Sequence, residues 1–206
     1  YNKIVLLDEE IDKHIYHEFL HMASTYYTDY YYLSGFTQNS YTHDKPSVIG
    51  RGLNEGYTTL LTERYFEKYG AQTGAYVIPS QISALIEIIV GRKNMEAWYF
   101  SADLISLYRE MTKYMTYDEF MRLLNDIDIL MKYAKYKSCF HTLEKIYERT
   151  IKFLTDIIIK KINTVEESNT INTRTAKLFI KSKLICIIAH PIESHGHIYK
   201  AFDEDE

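Results

Sequence analysis

His17 and His21 stand four residues apart, with Glu18 directly after the first, in the stretch KHIYHEFLHMAS from Lys13 to Ser24. Side chains four apart on an α-helix lie one above the other on the same face, so both imidazoles can reach a single ion. Neutral imidazole is a favoured zinc ligand. Glu18 projects beside such an ion rather than onto it. A carboxylate there can take a proton from a zinc-activated water and pass it to a leaving amine. The spacing therefore predicts a metal-dependent hydrolytic site that still lacks a third ligand.

A second stretch, Gly50 to Phe66, reads GRGLNEGYTTLLTERYF and contains Asn54-Glu55-Gly56-Tyr57. Taken together, the two stretches resemble the gluzincin metallopeptidases, the zincins whose third ligand is a glutamate on a second helix. Thermolysin-like enzymes carry Asn-Glu in that helix, and the gluzincin aminopeptidases carry Asn-Glu-Gly followed by an aromatic residue. The resemblance implies a Zn²⁺ cofactor, His17, His21 and Glu55 as its ligands, Glu18 as general base, and a peptide or protein substrate. It covers roughly Asp8 to Phe66. A metzincin would instead carry Gly at Ser24 and His at Tyr27. Glu63, two turns beyond Glu55, is the other carboxylate facing that way. Four residues after Glu55, where thermolysin-like enzymes place an aspartate that orients a ligand histidine, this chain has Thr59.

A zincin also needs a donor for the oxygen that gains charge during attack, commonly a later Tyr or His. Tyr99, Tyr108, His190, His195 and His197 are all candidates, and the sequence does not choose among them. His14 and His43 read as solvent or partly buried residues, and His141 as a structural residue inside a helix. Cys139 and Cys186 form no C-x-x-C pair, so neither suggests a structural zinc or redox couple.

These residues need elements to hold them. Ile11, Ile15, Phe19 and Met22 recur at helical spacing after an N-cap signal at Asp8, so a helix is expected to about Ala23. Asn2–Leu7 reads as a short strand. Residues 24–50 lack a sustained period and read as a long aromatic-rich loop. Helices are expected near Gly52–Tyr69, Ser80–Gly91, Asn94–Tyr114, Tyr117–Tyr136, Ser138–Asn163 and Asn172–Ala189, with Ser80 as an N-cap and Gly91 as a stop. The expected fold is mainly α: a zincin-like helical domain with at most a small N-terminal β element, followed by a helical bundle. One domain is expected over residues 1–206, with 1–70 as the metal-site half and 71–206 as the helical half.

Composition narrows the function classes. The chain has 206 residues, 46% hydrophobic and 25% charged, which suits a globular domain with a real core. A net charge of −4 argues against nucleic acid as a partner, which needs a clustered basic surface. No apolar run reaches the length of a membrane span. No leader is visible, so the cytoplasm is the expected compartment, while an opening Tyr1 rather than Met suits a processed product or fragment. The sequence leaves the oligomeric state open. The expected function is a zinc metallopeptidase. The alternatives are a zincin-like domain that binds metal or a partner without catalysis, and a helical module with no metal.

Overall fold

The computed structural model describes residues 11–27, 32–42, 45–71, 76–133 and 140–164. In chain order these form α1 (Ile11–Ala23), β1 (Thr25–Tyr27), β2 (Tyr32–Ser34), β3 (Thr37–Thr42), β4 (Lys45–Ile49) and α2 (Arg51–Phe66), which a 3₁₀ turn extends over Glu67–Tyr69. There follow α3 (Val77–Val90), α4 (Arg92–Phe100), α5 (Leu104–Met111), α6 (Tyr117–Tyr133) and α7 (Phe140–Thr164). The architecture is mainly helical with one small antiparallel sheet, in agreement with the fold class expected from periodicity. The expected strand Asn2–Leu7 and helix Asn172–Ala189 lie outside the described residues. Among the described residues, no helix is long and apolar enough to cross a membrane.

The core forms where helical faces of matching spacing meet. Leu53, Tyr57 and Leu61 of α2, Ile82, Leu85, Ile86 and Ile89 of α3, and Leu123 and Ile127 of α6 are almost fully buried in one cluster. The four-residue intervals place each set on one face of its helix. Helix α2 lies at the centre, packed against α1, α3 and α6, and α7 closes over α3 and α6. A polar clamp ties α2 to its neighbours. Arg64 donates to Glu87 at 2.6 Å and 2.9 Å and to Glu96 at 3.0 Å, and Tyr57 Oη–H donates to Glu87 at 2.8 Å.

Three expectations are corrected. In place of the expected loop over residues 24–50, the described residues there form four antiparallel strands in the order β1-β2-β3-β4. The strands are short and rich in Thr, Ser, Tyr, Asn and Gln, so they lack a clear apolar alternation, although Thr and Tyr favour strands. The expected helix Asn94–Tyr114 breaks at Ala102, which has a φ of 52°, and restarts at Asp103. There Asp103 accepts the Ser106 N–H at 2.9 Å as an N-cap. Helix α3 begins at Val77, so Ser80 is not its cap but a buried residue one turn inside. Pro79 is tolerated because the first turn requires no intrahelical N–H.

Candidate metal centre

Helices α1 and α2 bring the two sequence motifs together. His17 Nε2 lies 3.0 Å from His21 Nε2, and each nitrogen lies 3.2 Å from Glu55 Oε2. Donors bound about 2.0–2.1 Å from a tetrahedral zinc stand about 3.3 Å from one another, so this triangle has the size of one face of such a site. Two imidazole nitrogens and a carboxylate oxygen so close together require protons or a cation among them, because bare lone pairs would repel. Two imidazoles and a carboxylate are also the right donor chemistry for zinc. These three residues are the group of His, Cys, Asp or Glu that could hold a metal ion among the described residues.

Burial pushes the Glu55 carboxyl up, but the hydrogen bonds and charges of His17 and His21 outweigh it and hold the group at about 2. Glu55 is therefore ionised, the form a ligand needs. Its side chain is 16% exposed, so the site is enclosed yet open on one side.

The local sequence explains how each histidine is placed. Helix α1 stops just past His21 because hydroxyls take over its last carbonyls: Ser24 Oγ–H and Thr25 Oγ1–H both donate to His21 O, at 3.1 Å and 2.6 Å. The chain then enters β1. Its return hairpin carries Gly35 and Phe36 at the β2–β3 turn, where Gly35 has a φ of 52°. A Cβ at Gly35 would lie 2.0 Å from Asn54 Oδ1, so only glycine lets the turn approach α2. Phe36 then fills the space beneath the site, its ring against those of Tyr57 and Tyr99.

Asn54 and Thr58 stand behind His21. Asn54 Oδ1 accepts the Phe36 N–H at 3.1 Å, which turns the amide nitrogen towards His21 Nδ1 at 3.3 Å. An amide nitrogen only donates, so this orientation leaves the His21 proton on Nε2. For Nε2 to bind a metal, the proton must sit on Nδ1. Thr58 Oγ1, 3.5 Å away, is then the acceptor. Its hydroxyl donates to Asn54 O at 2.7 Å and lies 2.7 Å from Tyr99 Oη, and an oxygen lone pair remains for the imidazole.

Glu18 is half-buried on α1 next to His17, and its charge reaches the phenols of Tyr76 and Tyr99. Tyr76, just ahead of α3, was not singled out by the sequence, where nothing in GAYVIPS distinguishes it. Its ring stacks on His17, with centroids 5.9 Å apart. Burial raises its phenol above the ordinary value; Glu55 and Glu18 add to the shift, and Arg51 partly offsets it.

The other sequence candidates do not join the triad. Tyr99 is fully buried, and burial pushes its phenol up to about 12 despite hydrogen bonds with Ser24 and Thr58. Tyr108 packs on Tyr117 and Phe120 of α6. Glu63 is outside the triad, and burial together with Glu67 raises its carboxyl. His14 is exposed, and His141, read as structural, stands on the exposed face of α7 near Glu144. His43, Cys139, Cys186, His190, His195 and His197 lie outside the described residues. No protein-family model matches this chain, and neither a curated protein nor a solved structure gives a significant match.

Proposed function

We propose that this chain is a zinc-dependent peptidase of the gluzincin type. The observation that carries this reading is the meeting of His17, His21 and Glu55 donor atoms at 3.0–3.2 Å, from two motifs far apart in sequence. Three protein ligands leave a fourth position open, as a catalytic rather than structural zinc requires. When bound, zinc would polarise the scissile carbonyl and acidify a water. The chain's own residues supply the remaining steps. Glu18 accepts the proton of the attacking water and delivers it to the departing amine. Tyr76, whose ring stacks on His17, is the candidate donor to the carbonyl oxygen as it gains charge.

A second reading is a metal-binding or sensing domain without turnover. One observation favours it: Thr59 Oγ1, at the position where thermolysin-like enzymes orient a ligand histidine, is buried without a hydrogen-bond partner. The two readings separate by experiment. Metal content is measured by mass spectrometry for wild type, Glu55→Ala and Glu18→Gln, and each protein is incubated with a peptide library. The peptidase reading expects zinc near one equivalent in wild type, a sharp loss in Glu55→Ala, and retained zinc with cleavage reduced about a hundredfold or more in Glu18→Gln. Zinc binding without cleavage by wild type would select the second reading. No zinc after reconstitution would end both.

A further inference from the structure

Helix α2 carries Glu55 and Asn54 but has no N-terminal cap of its own. The residue before it is Gly50, in the left-handed region at φ 75°, with no side-chain acceptor to offer. A helix start leaves backbone N–H groups without intrahelical partners. Here those partners come from α6, more than seventy residues later. Asp128 Oδ2 accepts the Gly50 N–H at 3.2 Å, and its Oδ1 accepts the Gly52 N–H at 2.5 Å. The backbones also touch. A Cβ at Gly52 would lie 2.6 Å from Ile127 O and 3.0 Å from Asp128 N. The carbonyl of Gly50 in turn accepts the Asn54 N–H at 2.9 Å. The turn held by Asp128 is thus the turn that ends on Asn54 and Glu55.

We propose that Asp128 is a positioning residue for the metal centre: its carboxylate fixes the start of α2 and thereby the place of Glu55 opposite His17 and His21. This rests on the zinc reading above. The physical link is short. Glu55 is three residues beyond Gly52, less than one helical turn, so a rotation or slide of the first turn moves its carboxylate by a comparable distance. Metal affinity is sensitive to such displacement, because the groups that orient ligands commonly contribute about 10–100-fold to binding. A carboxylate at a helix N-terminus also opposes the positive end of the helix dipole. Gly50, Gly52 and Asp128 thus join the metal-site half of the chain to its helical half.

The test is zinc affinity of the full chain, measured by competition with a chromophoric chelator, for wild type, Asp128→Ala and Asp128→Asn. Leu143→Ala, a core change on α7 away from the site, serves as a control for general loss of stability. Cobalt substituted for zinc reports ligand geometry through its visible absorption, which a merely structural role would not move. The proposal expects Asp128→Ala to bind zinc about tenfold or more weakly with an altered cobalt spectrum. Asp128→Asn, whose amide oxygen still accepts one N–H, should fall between it and wild type. Leu143→Ala should keep wild-type affinity while folded. If Asp128→Ala does not fold, Asp128→Asn decides. Wild-type affinity and spectrum in the Asp128 variants would overturn the proposal and leave the zinc reading intact. A wild type that binds no zinc would overturn both.

Discussion

Gly56, the glycine of the Asn-Glu-Gly motif, should be intolerant of the smallest side chain, and the reason lies in the contact between α2 and α3. A Cβ built there would lie 2.3 Å from the carbonyl carbon of Pro79, 2.4 Å from its oxygen and 2.7 Å from its Cβ. Ordinary contact begins near 3.4 Å, so the helices would have to separate by about 1 Å. Two effects compete in Gly56→Ala. Replacing a mid-helix glycine by alanine stabilises by about 1 kcal/mol. Overpacking a filled interior costs about 1–3 kcal/mol, and the obstacle here is backbone rather than a yielding side chain, so about 3 kcal/mol applies. The net expectation is a loss of about 2 kcal/mol, or about 4–8 °C in Tm for a chain of this size. Thermal melts of metal-free wild type and Gly56→Ala, both in excess chelator, measure it. Because Tyr76 lies three residues before Pro79, the variant should also disturb the stacking on His17. A Gly56→Ala protein that melts at or above wild type would mean that only the helix-propensity gain operates, and the close α2–α3 contact would be refuted.

Two other expectations concern proton placement at the site. Thr58→Val removes the acceptor for a proton on His21 Nδ1, so zinc affinity by chelator competition should fall about 10–100-fold, whereas Asn54→Asp, which offers that proton a carboxylate, should spare it; equal affinities in both variants would contradict the tautomer argument. In the metal-free protein, Glu55 is depressed from 4.5 to about 2, so its contribution is present above pH 4.5 and lost as pH falls towards 2. That linkage is at most about 3 kcal/mol, and urea midpoints across this range should fall less steeply in Glu55→Gln than in wild type.

Features whose cause is local were legible in the sequence. His17, Glu18 and His21 are related by the helical repeat alone, and Asn54-Glu55 sits inside an uninterrupted helical pattern. The helical fold class followed in the same way from four-residue apolar spacing in α2, α3 and α6. What escaped has causes at long range. The sheet over residues 25–49 has strands of three to six residues, and its main contribution to the core, Phe36, lies in a turn rather than on a strand. Period-two patterning has too few apolar residues there to register. Asp128 reads as an ordinary polar residue of an amphipathic helix until Gly50 and Gly52 are seen against it. Tyr76 acquires its relation to His17 only through the packing of α3 on α2, which Gly56 permits.

The two halves of the triad are held unequally, and this bears on what a metal would do. Glu55 belongs to a central, largely buried helix, which is fixed by Asp128 at its start, by Pro79 against Gly56, and by the Arg64–Glu87 clamp near its end. The histidines belong to α1, whose core contribution among its described side chains is Leu20. Beyond Leu20, the contacts between α1 and α2 among the described residues include the stacking of Tyr16 on Phe66, at 4.8 Å, the approach of Asn54 and Thr58 to His21, and the triad itself. Without an ion, three converging polar groups contribute little net attraction, because hydrogen bonds exchanged with water gain only about 1 kcal/mol each. A cation bound by all three would join the lightly held helix to the rigid one, and its binding free energy would add to folding. With a cation in place, α2 would be the fixed reference that sets its position, and α1 the element whose docking it would complete.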